Sequence, residues 1–200
     1  MTPQKPESET LSPENLIALF ERKEALLTGH FRLSSGLHSE RYLQCAKILQ
    51  YPEIAERIGA ALAQEFSDAR PECVVGPAIG GIVIAQEVGR ALGVRAIFAE
   101  RESGSMTLRR GFAVEKGERA LVVEDVITTG GSAREVVDAL GEMGAEVIGV
   151  GSIIDRSGGR AEFGVPFKSL ARLEASAFTE AECPLCRRGE PVYKPGSRKS

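Results

Sequence analysis

One stretch constrains this chain more than any other: residues 120–140, ALVVEDVITTGGSAREVVDAL. Four apolar residues, Ala120 to Val123, read as a short central strand buried on both faces. The strand delivers Glu124 and Asp125 at its carboxyl end, and Thr128-Thr129-Gly130-Gly131-Ser132 then turns directly into a helix spanning 133–143. Ser132 and Glu135 have the spacing of a capping box. A glycine-rich turn at a helix start exposes backbone N–H groups, and the helix dipole adds partial positive charge, so this turn is an anion site. Two threonines and a serine contribute hydroxyl donors. No lysine follows the glycines, which excludes a P-loop for a nucleoside triphosphate, and G-x-G-x-x-G is also absent. The remaining fit is a phosphomonoester flanked by two carboxylates that grip sugar hydroxyls or a metal.

The rest of the chain repeats this strand–helix pattern. Ser12-Pro13-Glu14 opens a helix with a cap, a proline at the first position and an early acid, and Leu16, Leu19, Phe20 and Leu26 give it an apolar stripe. GHFRLSSGLHSERYLQCAKIL reads as short strands with a turn at Ser35-Gly36. A second amphipathic helix runs over about 53–66, with Ile54, Ile58, Leu62 and Phe66 at fourfold spacing. Strands at 74–75, 94–99 and 147–154 and a helix at 82–92 complete the alternation. Such alternation predicts an α/β fold with right-handed crossovers and a mostly parallel central sheet flanked by helices. Ligands bind beyond the carboxyl ends of such strands, so GPAIGG, ERESGSMTLRRG, EDVITTGGS and DRSGGR are the loops to search.

Composition narrows the classes. A chain of 200 residues with 42% hydrophobic content suits one ordinary α/β domain. Its net charge of −3 argues against a protein that coats nucleic acid or an anionic membrane. No run reaches the roughly 20 apolar residues of a membrane span, and the opening MTPQKPESETLS lacks an apolar signal core, so the expected location is the cytoplasm. The cysteines are Cys45, Cys73, Cys183 and Cys186; a core of this size needs no disulfide staples. Cys183-Pro-Leu-Cys186 has knuckle spacing, yet one C-x-x-C is half of a tetrahedral zinc site unless two subunits share it, and neither a second pair nor a histidine lies near it in sequence. The expectation is a structural turn with free thiols. His30 and His38 lie in the amino-terminal hairpin region, available as proton shuttles but more typical of structural turn residues. Arg187, Arg188, Lys194, Arg198 and Lys199 read as a solvated tail rather than a nucleic-acid arm.

Residues 121–133, LVVEDVITTGGSA, closely resemble the phosphoribosyl-pyrophosphate (PRPP) motif of the type I phosphoribosyltransferases. The likeness extends to RLSSGLHSERYL, similar to the orotate-side segment of orotate phosphoribosyltransferases, to GPAIGGIVIA, similar to their pyrophosphate-side loop, and to GVGSIIDRSGGRAEFGVP, similar to the strand and arginine loop after the PRPP motif. ECPLCRRGEPVYKPGSR resembles the tail of the bacterial Thermus-type subgroup, and the whole likeness covers about residues 14–198. Residues 1–11 read as a flexible lead, and the likeness implies a phosphoribosyltransferase domain over 12–182 with a small hood over the base at about 28–50, and a tail over 183–200.

The implied reaction is Mg²⁺-dependent transfer of ribose 5-phosphate from PRPP to orotate, giving orotidine 5′-phosphate and pyrophosphate in pyrimidine synthesis. The resemblance assigns PRPP binding to Glu124, Asp125, Val126, Ile127, Thr128, Thr129, Gly130, Gly131, Ser132 and Arg101, with Glu124 and Asp125 also catalytic. It assigns orotate binding to Thr128 and Arg156, and it leaves Mg²⁺ carried mainly by PRPP with no direct protein ligand. It further implies a homodimer with shared active sites, closed by a lid at ERESGSMTLRRG. The chain departs from the enterobacterial form: Arg101, Arg109 and Arg110 are the only lid cations, Glu100 replaces an arginine, Ile79-Gly80 replaces tyrosine-lysine, and Ser34 replaces a lysine. Gly80 and Gly81 remain able to offer backbone N–H groups to pyrophosphate. The rival readings are the same transfer to a purine or uracil, and a PRPP-sensing regulator without catalysis. Arg156, whose fork matches a carboxylate, favours orotate.

Overall fold

The computed structural model describes residues 11–33, 36–174 and 176–194. The lead over 1–10, Ser34 and Ser35 of the hairpin turn, and Arg198 and Lys199 of the tail lie outside the described residues. In chain order the elements are α1 (Pro13–Arg22), β1 (Leu26–Arg32), β2 (His38–Leu43), α2 (Ala46–Leu49), α3 (Pro52–Gln64), β3 (Cys73–Pro77), α4 (Gly81–Leu92), β4 (Arg95–Glu102), β5 (Ser105–Leu108), β6 (Arg119–Ile127), α5 (Gly131–Glu142), β7 (Glu146–Asp155), β8 (Phe167–Arg172), β9 (Ala177–Phe178) and α6 (Pro184–Arg187). Six strands form the main sheet in the order β5-β4-β3-β6-β7-β8, all parallel except the edge strand β5. The second sheet is antiparallel, β1-β2-β9, so the carboxy-terminal segment returns to pair with the amino-terminal hairpin.

Strand alternation divides the core. Val74, Leu121 and Val123 face α1, α3 and α4 through Leu16, Phe20, Ile58, Leu62 and Ile84, while Val75, Ala120 and Val122 face α5 through Ala133, Val136 and Leu140. Because helices cover both faces, the central strands need unbroken apolar runs, which is the pattern the sequence carries. From β3 the chain crosses to β4 on one side; from β6 it crosses to β7 on the other. This is a topological switch point, and it opens a crevice beyond the carboxyl ends of β3 and β6.

Several elements depart from expectation. Helix α1 is capped as the sequence implies, with Ser12 Oγ accepting from the Asn15 N–H at 3.2 Å, but it ends at Arg22. Glu24 takes a left-handed turn (φ 53°), and Leu26, read as part of the helical stripe, is instead the first residue of β1. Phe66 lies past the end of α3 yet is buried: a Cβ at Gly149 or Gly151 would come within 2.7 or 3.0 Å of its ring, so two glycines of β7 make room for it. Strands β5 and β8 were not legible, since SMTL and FKSLAR mix polar and apolar residues at the sheet edges.

Candidate active site

The two acids lie near the carboxyl end of β6, which continues to Ile127 rather than stopping at Val123. Glu124 stands opposite Ser152 of β7 in register. Asp125 accepts the Val126 N–H at 3.0 Å through Oδ1, and it faces the first residues of α4: a Cβ on Gly80 would lie 2.7 Å from that same oxygen. Position 80 therefore has no room for a side chain without displacing the carboxylate. The Cys45 thiol, from the chain entering α2, lies 3.9 Å from the Asp125 carbonyl oxygen. Burial raises the Glu124 carboxyl to about 8, with the neighbouring Asp125 charge adding to the effect. Asp125 is raised by burial as well, opposed by backbone N–H bonds. Two adjacent carboxyls held against their charged forms are a site built to receive positive charge or hydroxyl donors.

The glycine turn follows. Thr128 and Thr129 are exposed, and Thr129 Oγ1 accepts from the Gly131 N–H at 3.4 Å. Gly130 has φ 77°, and a Cβ there would meet Phe163 at 2.9 Å, so both backbone angle and packing require glycine. The capping box does not form. The helix starts two residues earlier, at Gly131, with Gly130 as its cap and no side-chain bond from that cap, which places Ser132 inside the first turn. Glu135 is drawn instead to Arg101, 2.8 Å away. Gly130 supplies no side chain to cap α5, and among the described residues only the long Thr129 hydroxyl contact to the Gly131 N–H engages its first turn from a side chain, which leaves N–H groups there for an anion. Half-buried Val126 and buried Ile127 connect acids to turn, and the Ile127 carbonyl accepts the Arg156 N–H at 2.7 Å, joining the ends of β6 and β7.

Arg156 is the first residue after β7. It does not pair with its neighbour Asp155, whose buried carboxylate accepts the Ser157 N–H at 2.8 Å and lies 3.7 Å from Arg172. Among the described residues Arg156 has no ion pair, and its Nε is buried without a hydrogen-bond partner. Burial pulls its pKa below the ordinary guanidinium value. A half-buried guanidinium without an ion pair is costly, and it is free to pair with an incoming anion.

The stretch read as an irregular lid is a hairpin: β4 and β5 pair around a turn at Ser103 (φ 50°) and Gly104 (φ 97°). All three candidate lid cations are engaged within the chain. Arg101 pairs with Glu135, Arg109 with Glu102 at 3.2 Å, and Arg110 with Glu100 through two bonds of 2.7 and 2.8 Å. These pairs are solvent-exposed, a class that contributes little stability and yields readily to a better partner. On the other wall, Ile79 is 85% exposed beside Gly80, and the Ala78–Ile79 peptide is cis. The orotate-side position Ser34 lies outside the described residues.

The hood corrects a further expectation. His30 on β1 and His38 on β2 are not isolated turn residues, and the C-x-x-C has histidines beside it: His30, His38, Cys183 and Cys186 converge with ligand atoms within 4.8 Å of one another. The sequence hid this because the two halves lie about 150 residues apart and meet only when β9 and the tail fold back onto β1 and β2.

The chain is similar to several known proteins. The family described as phosphoribosyl transferase domain matches residues 44–174. Among curated proteins, the orotate phosphoribosyltransferase of Caldanaerobacter subterraneus subsp. tengcongensis is 55% identical, covering 94% of this chain and 100% of its own length. That of Caldicellulosiruptor bescii is 54% identical with the same coverage. Among solved structures, orotate phosphoribosyltransferase from Aeropyrum pernix superposes with a TM-score of 0.68 at 27% identity, covering 79% of this chain and 93% of that one.

Proposed function

The chain belongs to the phosphoribosyltransferase family, and from that membership we propose how its crevice divides the work of one reaction. The reaction is that of the orotate phosphoribosyltransferases: ribose 5-phosphate passes from PRPP to orotate, giving orotidine 5′-phosphate and pyrophosphate, a step of pyrimidine synthesis. The C1–oxygen bond to pyrophosphate breaks, a C1–nitrogen bond to the base forms, and the base nitrogen gives up its proton.

The backbone N–H groups of Thr128 to Ser132, with the hydroxyls of Thr128, Thr129 and Ser132, hold the 5-phosphate at the start of α5. Glu124 and Asp125 take the ribose hydroxyls and stabilise the positive charge that builds on the ribose as pyrophosphate leaves. The unpaired Arg156 receives the orotate carboxylate, assisted by Thr128. Gly80 and Gly81 offer N–H groups to pyrophosphate, and Arg101 joins them when it exchanges Glu135 for phosphate oxygens. Mg²⁺, when bound, neutralises pyrophosphate and ribose oxygens. Glu124 and Asp125 offer the hard oxygen donors that Mg²⁺ takes, and a cation arriving with PRPP would favour the ionised forms that burial opposes. The working unit in this reading is a cytoplasmic homodimer whose β4–β5 hairpin covers the neighbour's crevice.

The observation that carries the choice of base is Arg156, half-buried, with a buried Nε that lacks a hydrogen-bond partner and without an ion pair among the described residues. Arg156→Ala is expected to raise KM for orotate about 10- to 100-fold while KM for PRPP changes little. Equal loss for both substrates, or no change in either, would remove Arg156 from base recognition.

A further inference from the structure

We propose that His30, His38, Cys183 and Cys186 bind one zinc ion in a closed tetrahedral site, separate from the active crevice, that clamps the carboxy-terminal tail onto the hood. The four side chains come from three elements of one chain: β1, β2 and the short turn at α6. Zinc bonds of about 2.0 Å to nitrogen and 2.3 Å to sulfur imply ligand–ligand edges of about 3.3–3.8 Å in a tetrahedron. Four of the six edges are of this size or tighter: His30 Nε2 lies 3.6 Å from each thiol, Cys186 Sγ lies 3.2 Å from His38 Nδ1, and the two imidazoles are 2.8 Å apart, while all six lie within 4.8 Å. Cys183, His38 and His30 are at most 5% exposed.

Hydrogen bonding alone leaves this cluster over-supplied. His30 Nδ1 donates to the Glu190 carbonyl oxygen at 2.8 Å, so its Nε2 carries a single lone pair. Three groups, the His38 Nδ1 and both thiols, converge on that one acceptor. One cation at the centre satisfies all four, with both cysteines as thiolates. The bond from His30 to Glu190 is the outer partner that fixes tautomer and ring orientation in zinc-bound histidines. Two sulfurs and two imidazoles select zinc among the common divalent ions, and four protein ligands leave no position for water, so the role is structural. The backbone is arranged to match: Tyr193 N–H donates to the His30 carbonyl at 2.8 Å, and Arg32 N–H donates to the Tyr193 carbonyl at 2.9 Å, so tail and hood are already laid side by side.

The test is metal analysis of the full-length protein, purified without chelator or affinity metal and then dialysed. The expected result is one zinc per chain. His38→Ala and Cys186→Ser should each lose it, and His38→Cys, which restores a four-ligand set, should keep it. Cobalt exchanged into the unmutated protein should show the visible bands of a tetrahedral site and a thiolate-to-cobalt band in the near ultraviolet, a readout independent of whether any variant folds. On chelation, hydrogen exchange should quicken over 26–43 and 177–193 and stay unchanged over 120–155. Less than stoichiometric zinc after incubation with the ion under reducing conditions would overturn the proposal. So would a Cys183–Cys186 disulfide in the purified protein, or zinc retained by Cys186→Ser.

Discussion

Asp125 shows how tightly single residues are constrained in the crevice. Its carboxylate is half-buried, bonded to the Val126 N–H, and pressed against Gly80, where a Cβ would displace it. Asp125→Asn keeps the shape and removes the charge. It is expected to lower kcat by about 100-fold or more while leaving Tm unchanged or higher, since a buried carboxylate no longer needs to be desolvated. Steady-state rates and a melting curve on the same preparation check both halves. Gly80→Ala should also depress kcat/KM, because its methyl displaces Asp125 rather than because it touches substrate. At this scale the contiguous parts of the site were legible: the acids, the T-T-G-G-S turn and Arg156 each sit at the end of a readable strand. The pairings across the fold were not. Nothing local says that Glu135 leaves its own helix cap for Arg101, or that His30 meets Cys183.

Among the elements, the buried strands and long amphipathic helices were readable because both faces of the sheet are covered and the apolar runs are uninterrupted. Edge strands β5 and β8, with solvent on one side, carry too little pattern to announce themselves. The β4–β5 hairpin matters most of these for function, since it bears Arg101 and is followed by Arg109 and Arg110, each tied to a carboxylate of its own chain. If the hairpin serves the partner's crevice, a protein with all three arginines replaced by alanine should be inactive alone. Mixed at equal amounts with Asp125→Asn under subunit exchange, it should recover roughly a quarter of the normal activity, because half of the dimers are hybrids with one intact site of two. No recovery would place each lid over its own crevice.

For the molecule as a whole, Glu124 makes stability depend on pH. Its carboxyl is raised from 4.5 to about 8 in the fold, so between those values the folded chain holds a proton that the unfolded chain has lost. Its contribution is fully present below about 4.5 and is lost as pH rises through about 8. Ligand-free Tm should therefore carry a downward component over that window that Glu124→Gln removes, and binding of Mg·PRPP near neutral pH should release protons, detectable by calorimetry in buffers of different ionisation enthalpy. The account centres on a crevice that joins a phosphate turn and an acid pair to a guanidinium reserved for a carboxylated base. The most direct measurement is turnover of orotate, followed by its loss of ultraviolet absorbance with PRPP and Mg²⁺, beside uracil, adenine, guanine and hypoxanthine. Turnover of orotate, with uracil slower by about 10⁴-fold because it leaves Arg156 unpaired, is the predicted result. Comparable rates on uracil or a purine, or no turnover of orotate, would contradict it.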